Sequence, residues 1–216
     1  MNDKTVSLLS EKIDLFQKRG RRIFATSSFQ TQSMPLLHII SETCPEIPIV
    51  FINTGFLFPE TYSFKDHVAR LLNLNIVEVN SSVPLHLQKD ENGLFHYSSD
   101  TDYCCHLNKV LPLNEWMKEG DVWISGVRRD QSSTREEMQQ IEKRENNVIR
   151  FHPMLEWTSK DIYHHINTFN LPKHPLEDKG YLSVGCVPCT SCGFAASREG
   201  RWEGQQKTEC GLHTKL

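Results

Sequence analysis

No stretch of this sequence is apolar for long enough to cross a bilayer, which takes about 20 consecutive residues as a helix. Met1 to Glu11 lack the charged-then-apolar order of a secretory signal, so the expected compartment is the cytoplasm. Repeats and low-complexity tracts are absent, which excludes a solenoid or a tandem array. Charge of one sign is also lacking: 24 Lys and Arg against 27 Asp and Glu leave a net charge of −3. That balance argues against a surface that coats nucleic acid. From about Pro172 onward hydrophobic periodicity is missing as well, and Pro, Gly and Cys dominate.

What remains suits one globular domain, or one domain with a short appendage, in 216 residues that are 38% hydrophobic. Seven cysteines are present. In a reducing compartment they read as metal ligands or redox groups rather than structural disulfides, and the odd number leaves at least one unpaired. Basic residues are locally grouped at Arg128-Arg129 and again at Arg198, Arg201 and Lys207. Groups of this kind can hold a small anion without making the whole protein basic.

The spacing of Leu9, Ile13 and Phe16 predicts a helix over residues 5–19. Further helices are expected over 35–43, 59–72 and 157–169, with Pro35 and Pro59 tolerated in first turns and Thr158 or Ser159 as an N-cap. Short apolar strands are expected over 22–26, 47–52, 75–79, 121–125 and 148–151. Alternating helices and doubly buried strands predict a mainly parallel α/β sheet with helices on both faces. Ligands on such sheets bind beyond the carboxyl ends of the strands, where the loops at 27–32, 53–58 and 126–131 converge.

Four cysteines fall into two pairs, Cys104-Cys105 and Cys186-Val187-Pro188-Cys189. A Cys-x-x-Cys turn is ambiguous among zinc, iron–sulfur and thiol redox chemistry. Adjacent cysteines reach one centre only at a helix start or an irregular turn, and Asp102 is a candidate cap for a helix beginning near Cys104. Cys210 stands apart near the end of the sequence, inside Glu209-Cys210-Gly211-Leu212-His213, and reads as a nucleophile. Cys44 reads as structural, and Cys192, three residues beyond Cys189, reads as a bystander ahead of an alternative ligand or a resolving thiol.

Several ordered segments carry a resemblance. They are Asn53-Thr54-Gly55 through Pro59-Glu60-Thr61, Cys104-Cys105-x-x-x-Lys109, Ser125 to Ser132, Gly185 to Thr190, Arg198-Glu199-Gly200-Arg201-Trp202, and the terminal Glu-Cys-Gly-Leu-His. Together they resemble the assimilatory adenylyl-sulfate (APS) reductases, the iron–sulfur branch of the APS/PAPS reductase family, where PAPS is the 3′-phosphorylated substrate. The resemblance implies an adenine nucleotide alpha-hydrolase-like fold over residues 1–192 and a mobile C-terminal segment over 193–216. It implies a 4Fe-4S cluster on Cys104, Cys105, Cys186 and Cys189, with Lys109 between cluster and substrate. It further implies that Cys210 attacks the sulfur of APS and that a thioredoxin-type dithiol then releases sulfite. Ser27, Ser28, Thr54, Gly55, Arg128, Arg129, Arg198 and Arg201 are the expected substrate contacts.

Expected partners are therefore APS or PAPS and thioredoxin, not nucleic acid or a membrane; a homo-oligomer is compatible with the sequence. Besides Cys192, which lies beyond the expected pair, two departures from the family pattern stand out. Gln30 replaces a glycine in the loop at 27–32, where a β-carbon is expected to shift the backbone, and Asn108 replaces a basic residue. The Ser27-Ser28-Phe29-x-x-Gln32 loop resembles the PAPS-using branch, whereas the four cysteines favour APS. On chemistry alone, a zinc-stabilised nucleotide-binding module is the reading from another class.

Overall fold

The computed structural model describes residues 3–192, 200–202, 207, 209 and 211–214. Helix α1 (Asp3–Lys18) leads into strand β1 (Ile23–Thr26), α2 (Met34–Thr43), β2 (Ile49–Asn53), α3 (Pro59–Leu71) and β3 (Ile76–Asn80). A short helix α4 (His96–Ser99) precedes a continuous helical stretch built of α5 (Thr101–Cys105), a π turn (His106–Val110) and α6 (Leu111–Trp116). Strands β4 (Val122–Ser125), β5 (Ile141–Lys143) and β6 (Ile149–Phe151), helix α7 (Ser159–Thr168) and a last turn α8 (Gly211–Thr214) follow. None of the helices among the described residues is long and apolar enough to cross a membrane.

The six strands lie in the order β3-β2-β1-β4-β6-β5. All neighbours are parallel except β5 against β6. Successive strand residues point to opposite faces, and both faces are apolar. Ile23 and Ala25, Ile49 and Phe51, and Val122 and Ile124 pack with α1, α2 and α7 on one side. Phe24, Val50 and Trp123 pack on the other with Leu113 of α6 and with Leu212 of α8. The alternation explains why each central strand reads as an unbroken hydrophobic run.

Most expected elements are present with ends shifted by a residue or two. The edge strand β5 was not expected, because its pattern is inverted. Ile141 is 42% exposed while Glu142 turns inward to pair with Arg144 and fully buried Arg150. At the start of α7, Thr158 is the cap: its Oγ1 accepts from Asp161 N at 3.3 Å while Asp161 Oδ2 accepts from Thr158 N at 2.8 Å. Asp102 does not cap the cysteine helix. Asp100 does, accepting from Tyr103 N at 2.8 Å, because the helix starts three residues before Cys104.

Beneath the first face, His38 Nδ1 and His165 Nε2 meet at 3.2 Å, closed in by Phe169 and Trp157. Burial, then the neighbouring His38, pulls the His165 pKa down to about 4; burial also lowers His38, partly offset by Glu42. With the folded pKa below the unfolded value, the unfolded chain takes up protons first as pH falls through 6.5. Stability is therefore complete above that pH and declines toward pH 4. Between pH 6.5 and 5 the loss from His165 reaches about 2 kcal/mol. Urea denaturation of the wild type should show that slope, and His165→Gln should flatten it; an unchanged slope would mean that other groups set the pH dependence.

Candidate functional site

Strands β2 and β3 lie to one side of β1, whereas β4 and β6 lie to the other. The chain thus leaves the carboxyl ends of β1 and β4 in opposite directions, and a crevice opens between them. A cavity of about 220 Å³ occupies this position. Its walls include Ser27 and Ser28 after β1, Thr54 after β2, Gly126 and Val127 after β4, and also Lys109, Cys186 and Arg201.

The loop after β1 is held by a buried ring. Phe29 is fully buried, packs edge-to-face on Phe51 and sits at φ 53°, the left-handed region that non-glycine residues rarely adopt. Ser27 Oγ accepts from Phe29 N at 3.1 Å. Gln30 Nε2 donates to Ser28 Oγ at 3.1 Å, and Gln30 Oε1 accepts from Val184 N at 2.9 Å. Gln30 itself has φ −76° and ψ 162°, which any residue adopts, so its own backbone makes no demand for glycine. Its side chain joins this loop to the segment carrying Cys186.

Gly55 does not line the cavity. It has φ +73° in a turn where its N–H donates to Asn53 Oδ1 at 2.9 Å, and an added β-carbon would strike Leu85. Thr54 does line it, with Oγ1 3.3 Å from Cys186 Sγ. The backbone N–H of Val187 donates to Phe56 O at 2.7 Å, so the loop after β2 and the Cys-x-x-Cys turn are stitched together.

Cys104, Cys105, Cys186 and Cys189 are all buried. Burial, then Cys186, raises the Cys104 pKa to about 11, against a lowering by Asn108 and Lys109. Cys189 is raised by burial and Cys186, against Lys109, Arg201 and Lys207. The thiols from the two distant pairs are thus within electrostatic reach of one another, amid three cationic side chains. Among the described residues no three His, Cys, Asp or Glu side chains form a compact ligand group for a metal ion. As a donor set, four thiols from a helix and a Cys-x-x-Cys turn suit an iron–sulfur cluster or zinc.

The π turn after Cys105 was not legible in the sequence. It shifts the side chains by about one position relative to an uninterrupted α-helix. Leu107, Asn108 and Val110 are buried, while Lys109 faces the cavity. Asn108 forms a reciprocal amide pair with buried Gln88, at 2.6 and 2.9 Å. Its Nδ2 also donates to Cys104 O at 3.0 Å and approaches Cys104 Sγ at 3.6 Å. A neutral amide beneath Cys104 thereby takes the position of the expected base.

The arginines divide unevenly. Arg201 lines the cavity, donates to Cys189 O and Val184 O at 3.3 and 3.4 Å, and lies over the Trp202 ring at 4.6 Å. A β-carbon at Gly185 would collide with its guanidinium. Arg128 and Arg129, expected to hold an anion, do not line the cavity. Arg128 is fully buried and donates to Asp130, Gln32 and Ser159 at 2.9, 3.0 and 3.2 Å; Arg129 pairs with Glu156 and Met138 O. Arg135, which the sequence reading missed, lines the cavity instead and is paired with buried Glu209. The only sequence signal for it was its place just beyond the Ser125–Ser132 segment. Arg198 and Cys210 lie outside the described residues. Cys44 is buried beside Thr43, and Cys192 is exposed.

Residues 22–192 match the phosphoadenosine phosphosulfate reductase domain family. The chain belongs to that family. Relatives in it include proteins described as adenosine 5′-phosphosulfate reductase. That of Bacillus cytotoxicus is 38% identical, covering 98% of this chain and 92% of its own length. That of Geobacillus kaustophilus is also 38% identical, covering 92% and 86%. The crystal structure of phosphoadenylyl-sulfate (PAPS) reductase from Candida auris, a phosphate complex, superposes with a TM-score of 0.64 at 21% identity, over 87% of this chain and 96% of that one. The reductase domain family is thus matched in fold as well as in sequence.

Asn108→Ala would strand Gln88 Oε1, leave Gln88 Nε2 with only its bond to Val83 O, and free the backbone at Cys104. A loss of about 2–3 kcal/mol is expected by urea denaturation. A loss below about 0.5 kcal/mol would show that the amide pair does not brace the cysteine helix.

Proposed function

We propose that this protein reduces adenosine 5′-phosphosulfate to sulfite and AMP in the cytoplasm, with a thioredoxin-type dithiol as electron donor. The observation that carries this reading is the cavity at the β1/β4 crevice, with Lys109, Arg201 and Cys186 on one wall and Ser27 and Ser28 on another. A small dianionic nucleotide fits that pairing of cations and hydroxyls. The reading is further supported by relatives of matching length described as adenosine 5′-phosphosulfate reductase.

Cys210 is the proposed nucleophile. Its thiolate bonds to the sulfate sulfur as the bond to the AMP phosphate oxygen breaks, and the electron pair leaves with AMP. An S-sulfocysteine remains. A dithiol thiolate then attacks the Cys210 sulfur, the pair in the sulfur–sulfur bond leaves with sulfite, and the second thiol closes a disulfide and frees Cys210. Ser27 and Ser28 orient the anion by their hydroxyls, Thr54 packs beside the nucleotide, and Gly55 shapes the turn that places Thr54. Lys109 and Arg201 favour charge that builds on the sulfonate oxygens and the leaving phosphate.

Cys104, Cys105, Cys186 and Cys189 are the proposed ligands of one 4Fe-4S cluster. When bound, it would fix the two cysteine segments to each other beside the cationic wall. The approach of Asn108 Nδ2 to Cys104 Sγ and of Thr54 Oγ1 to Cys186 Sγ supplies polar neighbours of the kind that accompany cluster thiolates. PAPS is the second reading, favoured by the two serines of the loop after β1.

Protein purified without oxygen should hold about four iron atoms per chain and absorb near 400 nm, roughly where thiolate-to-iron charge transfer falls. A colourless protein with stoichiometric zinc would reject the cluster. Cys210→Ser should retain the iron and lose sulfite release by at least about 1,000-fold; turnover near wild type would remove Cys210 from the nucleophile's role. Sulfite release should be faster from APS than from PAPS at equal concentration, and the reverse order would assign PAPS as the substrate.

A further inference from the structure

One side chain, Gln30, joins the loop after β1 to the segment before Cys186, and its neighbours decide which way each hydrogen bond in that join runs. A backbone N–H can only donate, so Val184 N, 2.9 Å from Gln30 Oε1, fixes the carbonyl end of the amide. Nε2 then faces Ser28 Oγ, 3.1 Å away, and donates there. The same logic holds on the other side of Val184. Arg201 is a donor only, and its Nη1 reaches Val184 O at 3.4 Å. A single run of hydrogen bonds therefore extends from the Arg201 guanidinium through the Val184 peptide and Gln30 to the Ser28 hydroxyl, with every donor pointing the same way. All four residues line the cavity.

A hydroxyl has one proton to give. Because Ser28 Oγ accepts from Gln30, that proton is left for a different acceptor. The neighbouring Ser33 Oγ is 3.5 Å away, longer than the usual range for paired hydroxyls. Ser27 is committed in the same sense by the backbone, since its Oγ accepts from Phe29 N at 3.1 Å. Two adjacent hydroxyls on the cavity wall thus present protons to a ligand rather than lone pairs. Aligned hydrogen bonds polarise one another, which strengthens the last donor of the run. The ligand that suits such a wall is an oxyanion.

We propose that Gln30 is a positioning residue that makes the Ser28 hydroxyl a committed donor to an oxyanion oxygen of the nucleotide, and that it takes this orientation from the Val184 N–H of the cysteine segment. The proposal rests on the reading of the cavity as a sulfonucleotide site. Gln30 acts through Ser28. The glycine of the family pattern has no side chain that could direct the hydroxyl, so this device belongs to the present sequence. It also ties the quality of the anion contact to the placing of Val184, two residues before Cys186.

The test uses full-length Gln30→Glu and Gln30→Gly, purified without oxygen alongside the wild type. The carboxylate of Gln30→Glu still accepts from Val184 N but has no donor for Ser28, so the serine proton turns toward it and away from the cavity. The half-saturating APS concentration for sulfite release should rise at least about 30-fold while kcat stays within about threefold. Calorimetry with ADP, which carries phosphate where APS carries sulfate, should show a similar loss of affinity. Gln30→Gly, which frees the hydroxyl without reversing it, should lose only about fivefold. Adding Ser28→Ala should weaken ADP about fivefold in the wild type but less than about twofold in Gln30→Glu, where the proton is already taken. If the wild type releases no sulfite but ADP binding follows this pattern, Gln30 keeps its role and the assigned reaction fails. Sulfite release by the wild type, with APS and ADP affinities of Gln30→Glu within about twofold of it, would overturn the proposal and leave the reaction standing. Equal effects of Ser28→Ala in the two backgrounds, or loss of iron with unchanged ADP affinity, would also overturn it. A wild type that neither binds ADP nor saturates with APS would overturn both.

Discussion

The placing of β1 beside β4, parallel but with onward connections running in opposite directions, is the constraint on which the rest of the site depends. It leaves a gap at the carboxyl ends that no crossover helix among the described residues covers. The loop after β1 lines one side of that gap, and Gly126 and Val127 line another. The cysteine segments enter only because their own supports lead there. Helix α6 covers the second face of the sheet through Leu113, which carries the π turn and Lys109 to the cavity. The Cys-x-x-Cys turn arrives by its pairing with the loop after β2, where Leu57 bridges Cys186.

Electrostatics then decides what the gap can hold. Four buried thiols cannot all ionise together without compensation, and burial pushes Cys104 and Cys189 away from the thiolate. Lys109, Arg201 and Lys207 act in the opposite direction on Cys189. The same cations that ease negative charge onto the sulfurs also stand at or near the cavity wall. Burial alone would lower the Lys207 pKa, but its bonds to Asp102 and Cys105 outweigh burial and raise it, so the charge is retained. Arg128 has another task. Fully buried, it ties Gln32 of the cavity wall to Ser159 at the start of α7, so its donors are already engaged.

Much of this was legible in the sequence because its causes are local. Short strands buried on two faces read as apolar runs, and Thr158 or Ser159 reads as the cap of a helix start. What was illegible depends on tertiary contact. β5 was hidden because Glu142 faces inward to Arg150 and Ile141 outward, so its alternation carries the wrong sign. The cysteine helix begins at Thr101 because Asp100 caps it, and Asp102 is drawn instead to Lys207, more than 100 residues away along the chain. Arg128 and Arg129 looked available for an anion because sequence does not reveal that Asp130, Gln32, Ser159 and Glu156 already engage them. Arg135 carried no local mark that would set it above its neighbours.

The loop after β1 shows how a departure from a family pattern can move a constraint rather than remove it. Close approach to an anion requires backbone N–H groups that converge, and a left-handed residue is one way to turn them inward. The left-handed position here is Phe29, not residue 30. A bulky residue there is disfavoured by its β-carbon, so the conformation persists only if something else holds it. The buried Phe29 ring against Phe51, and the Ser27 hydroxyl on the Phe29 N–H, supply that hold. Residue 30 is then released from any need to be glycine. Its long amide reaches Ser28 on one side and Val184, two residues before Cys186, on the other. The side chain that the family pattern lacks thereby couples the loop after β1 to the cysteine segment, and the two cannot shift independently without breaking it.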